Sequence, residues 1–362
     1  MSSEEKHLIL DALIERDVSF AICRLPGEQT PRFVMQQSGS PLRLDDLESL
    51  TNQQGFVVAP FRITSASPLL VIRADRRELP RLSDLLEMPL PNHSPQPDTE
   101  DDPEPGTSGK KEYRERFQRF MQPLRNGELE KVVLSRYKTV ARKKGFSPGR
   151  TFWRAVSKYE RSCVYLFHTR ESGSWLGSTP EILLTGKGNN WQTVALAGTR
   201  YPGSGQISWD DKNLREQHLV TSYLLRQLST FGITPEINGP YTVRAGSLAH
   251  LKTDFRFLLP GNTAVGSLLQ ALHPTPAVSG LPKEDAFHFI LDHEGYDRRY
   301  YTGFLGMLDR EVETTLYVNL RCLQIRKSSL TLYAGSGLLA SSSCKEEWKE
   351  TEQKTGTMGG II

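Results

Sequence analysis

Residues 333–358 read YAGSGLLASSSCKEEWKETEQKTGTM. The apolar run Ser329–Ala334 enters this stretch as a strand, and the small residues Ala334, Gly335, Ser336 and Gly337 are expected to break it. The serines Ser341, Ser342 and Ser343 then offer caps for a helix over 343–358. On that helix Glu347 and Glu350 are three residues apart, so their carboxylates share one face. Such a pair is either a solvated acidic first turn, which the helix dipole favours, or two oxygen donors for a divalent cation. The stretch alone leaves both open.

Working outward, strand-like runs precede it at Tyr301–Asp309 and Thr314–Cys322, with a helix at 283–293 behind the turn-rich HPTPAVSGLP of 273–282. Further upstream, strands at Lys131–Arg136, Cys163–Thr169, Ser174–Gly177, Glu181–Thr185, Trp191–Leu196, Tyr241–Ala245 and Leu251–Leu258 are interspersed with helices at Glu112–Leu124, Ser147–Lys158, Asp211–Leu228 and Thr263–Leu272. Without regular βα alternation this is an α+β pattern, not a doubly wound sheet. Residues 1–89 read as a small α/β portion, with a helix at Glu4–Arg16 and strands at Ser19–Arg24, Gly55–Phe61 and Leu69–Arg73. Residues 90–111 are rich in Pro, Ser and acids and have almost nothing to bury, as in a linker or mobile loop. The region 112–362 carries every chemical candidate.

Composition removes several classes of function. A net charge of +3, with both signs mixed along the 362 residues, offers neither a nucleic-acid surface nor a polybasic membrane patch. It leaves room for a small anionic ligand held by a few local cations. The first residues, MSSEEKHLILDALIERD, lack the apolar core of a secretory signal, and no run reaches membrane-spanning length. Cys23, Cys163, Cys322 and Cys344 lie far apart, without Cys-x-x-Cys spacing. They read as reduced thiols in a cytoplasmic protein.

Individual residues support two readings each. Lys131 opens a strand whose two faces are both partly apolar. A partly buried lysine gives up its proton more easily and can act as a base, but a strand-end lysine can also snorkel to water. Glu181 follows Ser178-Thr-Pro and leads into Ile-Leu-Leu, where an apolar setting would keep a carboxyl protonated as a general acid, or where it simply ends a turn. Glu216 continues the helical stripe Val220, Leu224 and Leu228, so it needs a partner such as a metal, unless it merely sits near the helix start. Arg321 interrupts a core-like strand and would grip a carboxylate with two parallel bonds, or form a structural ion pair. Gly198, Thr199, Gly335 and Gly337 let backbone amides approach a ligand, or serve ordinary turns. His250 and His273 are isolated histidines, as fit for packing or capping as for binding.

Their order along the chain is more informative than any one of them. The set Lys131-Val-Val-Leu-Ser-Arg136, Gly177-Ser-Thr-Pro-Glu181, Leu196-Ala-Gly-Thr199, Lys212-x-x-x-Glu216, Leu272-His-Pro-Thr-Pro-Ala-Val-Ser-Gly280, Tyr301-Thr-Gly-Phe-Leu-Gly306, Leu320-Arg-Cys322, Ala334-Gly-Ser-Gly337 and Glu347-Trp-Lys-Glu-Thr351 closely resembles the chorismate-utilising enzymes. That family includes isochorismate, salicylate, anthranilate and aminodeoxychorismate synthases, and the resemblance covers about Glu112 to Met358. It implies large mixed or antiparallel sheets packed together, with helices outside.

The resemblance also implies roles. Mg²⁺ would be held by Glu216 and Glu350, with Glu347 in a nearer supporting or water-mediated position; oxygen donors of this kind suit that ion. Arg321 would grip a substrate carboxylate. The segments at Gly198–Thr199 and Gly335-Ser336-Gly337 would receive carboxylate oxygens, and His250, Ala277 and Val278 complete the expected substrate-binding set. Lys131 matches the lysine that activates water in isochorismate and salicylate synthases, where ammonia-using relatives carry Gln. Ala197 stands where aminodeoxychorismate synthases have a nucleophilic lysine. The implied reaction is therefore chorismate to isochorismate: Lys131 takes a proton from water attacking C2, and Glu181 gives one to the departing C4 hydroxyl. No glutamine amidotransferase partner is expected, a monomer is expected, and the product would serve menaquinone or siderophore synthesis. One departure is Gln217, where many members have His. The rival readings are a salicylate synthase, which would go on to eliminate pyruvate, and a non-catalytic chorismate-binding module, for which Lys131 and Glu181 would have no use.

Overall fold

The computed structural model describes residues 2–87, 109–200, 207–245, 248–260 and 264–362. The expected linker over 90–111 lies outside these up to residue 108, and Gly109 caps the helix that follows. In chain order the described strands are β1 Phe20–Arg24, β2 Arg32–Met35, β3 Leu42–Leu44, β4 Gly55–Ala59, β5 Leu69–Ile72, β6 Lys131–Ala141, β7 Cys163–Thr169, β8 Gly173–Thr179, β9 Ile182–Lys187, β10 Asn190–Arg200, β11 Glu236–Ala245, β12 Leu248–Leu258, β13 Gly280–Leu281, β14 Phe304–Leu308, β15 Thr314–Val318, β16 Cys322–Ile325 and β17 Ser329–Leu338. The described α-helices are α1 Ser3–Glu15, α2 Leu82–Glu87, α3 Lys110–Asn126, α4 Pro148–Lys158, α5 Asp211–Thr230, α6 Val265–Leu272, α7 Lys283–His293 and α8 Cys344–Gly359.

The strands form two sheets. An 8-stranded sheet runs β13-β6-β17-β16-β8-β7-β1-β2, and a 9-stranded sheet runs β11-β12-β10-β9-β15-β14-β4-β5-β3. Every described pairing between named strands is antiparallel. The N-terminal strands are shared between the sheets: β1 and β2 extend the first, β3 to β5 the second.

Alternation along the strands explains the layering. Ala21 and Cys23 of β1, Phe56 and Val58 of β4, and Trp175 of β8 meet in one apolar cluster between the sheets. Ile22 packs instead with Ile9 and Leu13 of α1 and Phe152 of α4, on the far side of the 8-stranded sheet. Val57 and Ala59 pack with Val220 and Leu224 of α5 and Leu268 of α6, outside the 9-stranded sheet. A fourth cluster seats α3 and α7 against Val132 and Leu134 of β6. The order is helices, sheet, sheet, helices.

Three sequence expectations need correction. Thr314–Cys322 is not one strand: β15 belongs to the 9-stranded sheet and β16 to the 8-stranded sheet, and the chain changes sheets over Asn319–Arg321. The small-residue run does not break β17, which pairs with β6 continuously from Ser329 to Leu338. Glycine is needed there to leave one face of the strand bare. The Ser343 side chain makes no capping bond to α8; the Ser342 hydroxyl instead accepts from the Leu339 N–H at 3.1 Å. Two short strands, β2 and β3, carried no clear pattern of their own.

Trp175 anchors the layer between the sheets. It is fully buried, stacks on Tyr333 at 5.5 Å between centroids, and donates its indole N–H to the Ser172 carbonyl at 2.9 Å. Trp175→Ala should destabilise the fold by about 3–5 kcal/mol, as for other large aromatic truncations in cores. Denaturant unfolding of the purified variant measures this.

Candidate active site

The site lies where the chain crosses between the sheets. Thr179 ends β8 in one sheet and Ile182 begins β9 in the other, so Pro180 and Glu181 form a crossing. Asn319–Arg321 form a second, from β15 to β16. Because β8 pairs with β16 and β9 with β15, the crossings run side by side. The Val318 N–H donates to the Glu181 carbonyl at 2.9 Å, and the Ser178 N–H to the Arg321 carbonyl at 3.2 Å. Arg321 has φ 46°, a left-handed conformation that non-glycine residues adopt at a cost on the order of 1–3 kcal/mol. The chain accepts this strain where the guanidinium must turn into the cleft.

The cleft is lined by Glu181, Glu216, His250 and Arg321, by Gly198 and Thr199, by Ala277 and Val278, and by Gly335, Gly337 and Glu350. The fold thus gathers eleven sequence candidates at one place. Lys131 lies beneath them, completely buried, with Nζ 2.8 Å from Glu216 Oε1. Gly337 makes room for this pair: a Cβ there would collide with Glu216 Oε1 and come within 3.0 Å of Lys131 Cε.

Besides Lys131, two candidates do not line the cleft. Ser336 points to the opposite face of β17, with its hydroxyl 3.5 Å from the Tyr113 hydroxyl, as alternation requires. Glu347 is 1% exposed and pairs with Lys212 of α5 at 2.5 Å. The Thr199 N–H is already donated to Asn213 Oδ1 at 3.0 Å, so the Thr199 contribution to a ligand is not that amide. Gln217 takes up the next gap, accepting from the Ala197 N–H at 3.0 Å and donating to the Ala195 carbonyl at 3.2 Å. His273 is buried at the Pro60 carbonyl, away from this cleft.

Burial and charge set the protonation of these groups. Burial pushes the Glu181 carboxyl up to about 7, against the opposing pull of the Lys131, Arg321 and Lys354 cations. His250 is held well below its ordinary value, first by burial and then by Arg321 and Lys354. Its tautomer follows from its partners. Nδ1 is 2.9 Å from the Gly198 carbonyl, which can only accept, so Nδ1 carries the hydrogen. Nε2 then accepts from the Arg321 guanidinium. A neutral histidine in this way orients the arginine without repelling it.

Three carboxylates and three lysines interleave around the cleft floor. Besides Lys131–Glu216 and Lys212–Glu347, Lys354 pairs with Glu350 at 2.7 Å and donates to the Gly335 carbonyl at 2.8 Å. Burial would raise Glu216, but the ammonium groups of Lys131, Lys212 and Lys354 outweigh it and lower it. Burial raises Glu347, with Lys212 opposing and Glu350 adding. Lys212 was part of a recognised motif without an assigned role. Lys354 was missed, although its spacing of one helical turn from Glu350 is a pairing signal.

Among the described residues no group of His, Cys, Asp and Glu is already assembled as a metal site. The donor set nevertheless fits a hard cation. The carboxylates of α5 and α8 converge on the Lys212 ammonium, which is raised by Glu347, Glu216 and Glu350 despite its burial. Glu347 Oε2 is buried without a hydrogen-bond partner. A buried carboxylate oxygen without a partner, on a carboxylate that feels the neighbouring Glu350, has the chemistry an oxygen-seeking ion would use.

Comparison with known proteins gives this site a class. Residues 53–362 match the family described as chorismate binding enzyme, and the chain belongs to that family. It is 31% identical over 249 residues to the isochorismate synthase EntC of Escherichia coli K12, covering 65% of this chain and 63% of that protein. It is 32% identical over 245 residues to the isochorismate synthase MenF of Haemophilus influenzae, covering 64% and 56%. The matched region therefore spans about three fifths of these curated relatives. The fold is that of the menaquinone-specific isochorismate synthase MenF from E. coli, with a TM-score of 0.77, 22% identity, and coverage of 98% of this chain and 90% of that one.

The bare face of β17 has a direct consequence. In Gly337→Ala the added methyl must displace the Glu216 carboxylate or the Lys131 stem. The variant should fold, because β17 keeps its pairing, and any turnover the cleft supports should fall about 100-fold or more. Thermal melting together with a chorismate turnover assay tests both halves.

Proposed function

We propose that the chain is an isochorismate synthase that converts chorismate reversibly to isochorismate with Mg²⁺ bound. The observation that carries this reading is a buried acid at about 7, Glu181, sharing one cleft with an oriented arginine, Arg321, above a fully buried lysine, Lys131, paired with the cleft-lining Glu216. A module that only bound chorismate would have no use for the acid or the lysine.

The residues divide the chemistry between them. Arg321, held by His250, presents its guanidinium to a substrate carboxylate. Lys131, when neutral, accepts a proton from the water that bonds to C2. The C1–C2 and C5–C6 double bonds of the ring shift to C1–C6 and C4–C5 as the C4–O bond breaks. Glu181 supplies the proton that lets the C4 hydroxyl leave as water. One water enters and one leaves, so the product is an isomer and no redox partner is consumed. Lys131 must return its proton and Glu181 regain one before the next turnover. The acid and base need opposite protonation states near neutrality, which burial provides for Glu181.

Glu216 and Glu350 would hold Mg²⁺, with Glu347 behind them. When bound, the ion supplies positive charge for a substrate carboxylate. Lys131 is paired with Glu216 in the structure at 2.8 Å, so the candidate base and a candidate metal ligand are in direct contact. The reading extends to cytoplasmic chorismate metabolism feeding menaquinone or siderophore synthesis, on the strength of the relatives' names. Among the described residues no helix is long and apolar enough to cross a membrane.

The decisive experiment is product analysis. Incubation with chorismate and Mg²⁺ should give isochorismate, and a chelator should stop the reaction until Mg²⁺ is restored. Salicylate with pyruvate as main products would overturn the subfamily, and binding without turnover would favour a binding module. Lys131→Gln, which keeps a polar partner for Glu216, should bind chorismate but turn over at least about 100-fold more slowly.

The Glu181 carboxyl sets the alkaline limb of the pH profile. Its value is raised to about 7, so the proton is present below that pH and lost above it. The rate constant kcat/KM should therefore fall about tenfold per pH unit above about 7. Glu181→Gln should remove this limb together with most of the activity. A wild-type profile flat to pH 9 would exclude Glu181 as the acid.

A further inference from the structure

Strand β6 has unequal neighbours. On one side β17 pairs with it continuously from Ser329↔Ala141 to Leu338↔Val132. On the other side β13 pairs only at Lys131 and Val132. The Val133 N–H still finds the Ser279 carbonyl at 2.6 Å, but among the described residues no strand continues beyond it. The outward-facing backbone groups further along would be unpaired and buried, which costs about 1–3 kcal/mol each.

An ion pair takes the place of the missing strand. Arg298 Nη2 donates to the Val133 carbonyl at 2.9 Å, and Glu294 Oε1 accepts from the Ser135 N–H and hydroxyl, both at 2.7 Å. The two side chains are joined by Arg298 Nε to Glu294 Oε2 at 2.6 Å and Nη2 to Oε1 at 2.7 Å. Glu294 is 1% exposed and Arg298 is 2% exposed. The guanidinium lies over the Phe61 ring at 4.5 Å. Its remaining nitrogen, Nη1, donates to the Val278 carbonyl at 2.8 Å and approaches the Thr302 hydroxyl at 3.4 Å.

This geometry connects the pair to the cleft without placing it there. Val133, Val278 and Thr302 all line the cleft, and neither Glu294 nor Arg298 does. A buried ion pair is weak evidence of a stability role, since apolar residues of the same volume often serve as well. Here apolar residues would leave the Val133 and Val278 carbonyls and the Ser135 N–H without partners. The fork of an arginine reaches two backbone carbonyls and a carboxylate together, which a lysine's single nitrogen cannot.

We propose that Glu294 and Arg298 are positioning residues for the isochorismate-forming reaction assigned above, an inference that rests on that reading. The pair completes the open edge of β6 and ties the 275–279 loop to it. Ala277 and Val278 are thereby held as one wall of the cleft, at a fixed distance from the strand that carries Lys131.

Hydrogen exchange and steady-state kinetics on the full chain test this. In the unaltered protein the amides of Ser135, Val278 and Ser279 should be as protected as those in the centre of the sheets. Exchange at surface-loop rates would overturn the proposal even if no variant folds. In Arg298→Lys, exchange across 275–281 and at Ser135 should quicken about tenfold or more, while the sheet centres stay protected. The KM for chorismate should rise about tenfold, with kcat changing less than about threefold. Glu294→Gln, whose amide oxygen still accepts from Ser135, should recover the Ser135 protection and most of the affinity. A folded Arg298→Lys with unchanged exchange and KM would overturn the proposal, as would protection lost evenly through both sheets. If the unaltered protein fails to turn over chorismate, the assigned reaction falls, and the exchange results still judge the clamp.

Discussion

Two strand connections must pass between the sheets at the same place, and the site depends on this constraint. A backbone leaving one sheet loses its ladder partners before it gains new ones. Here each crossing satisfies part of that need from the other: Val318 bonds to the Glu181 carbonyl, and Ser178 to the Arg321 carbonyl. Asn319 reinforces the second crossing, accepting from the Tyr165 hydroxyl and donating to the Tyr300 carbonyl at 2.8 Å. The crossings are thus rigid without being strands. They bring a carboxyl and a guanidinium into a water-poor cleft, where the first stays partly protonated and the second takes a left-handed turn.

The same burial dictates the charge pattern around the cleft. Carboxylates on α5 and α8 face inward, and an unpaired buried charge is too expensive to persist. Three lysines from three different elements therefore meet three glutamates: Lys131 from β6, Lys212 from α5 and Lys354 from α8. The arrangement is balanced in charge yet leaves one buried carboxylate oxygen unpartnered, at Glu347. Gly337 permits the tightest of these contacts, and so a single missing Cβ connects the strand pairing to the electrostatics.

Much of this was legible in the sequence where the signal is local. The helix over 283–293 and the strand over Cys163–Thr169 have the bounds that periodicity gives them. Most of the cleft-lining residues could be nominated because the family's motifs recur in order, and the α+β class follows from the lack of regular alternation. Less legible was anything decided by a partner distant in sequence. Thr314–Cys322 reads as one apolar strand because both halves are buried, yet they belong to different sheets. Ser336 shares its motif with Gly335 and Gly337 but faces the other way, since a strand that does not break must alternate. Lys354 looks like one more charged residue on a charged helix until Glu350 and the Gly335 carbonyl are seen beside it.

The sequence by itself determined most of the elements, most of the chemically capable residues, and the family to which they belong. These depend on side-chain type and short spacing, both written along the chain. Only the tertiary structure decided that Lys131 is fully buried against Glu216, and that Glu347 turns to Lys212 and not into the cleft. It also decided that the His250 ring carries its hydrogen on Nδ1, and that an ion pair at Glu294–Arg298 completes an unfinished sheet edge. The physical reason is common to all four. Proton position, charge pairing and desolvation depend on the few ångströms around an atom, and in this fold those neighbours come from segments separated by tens to hundreds of residues.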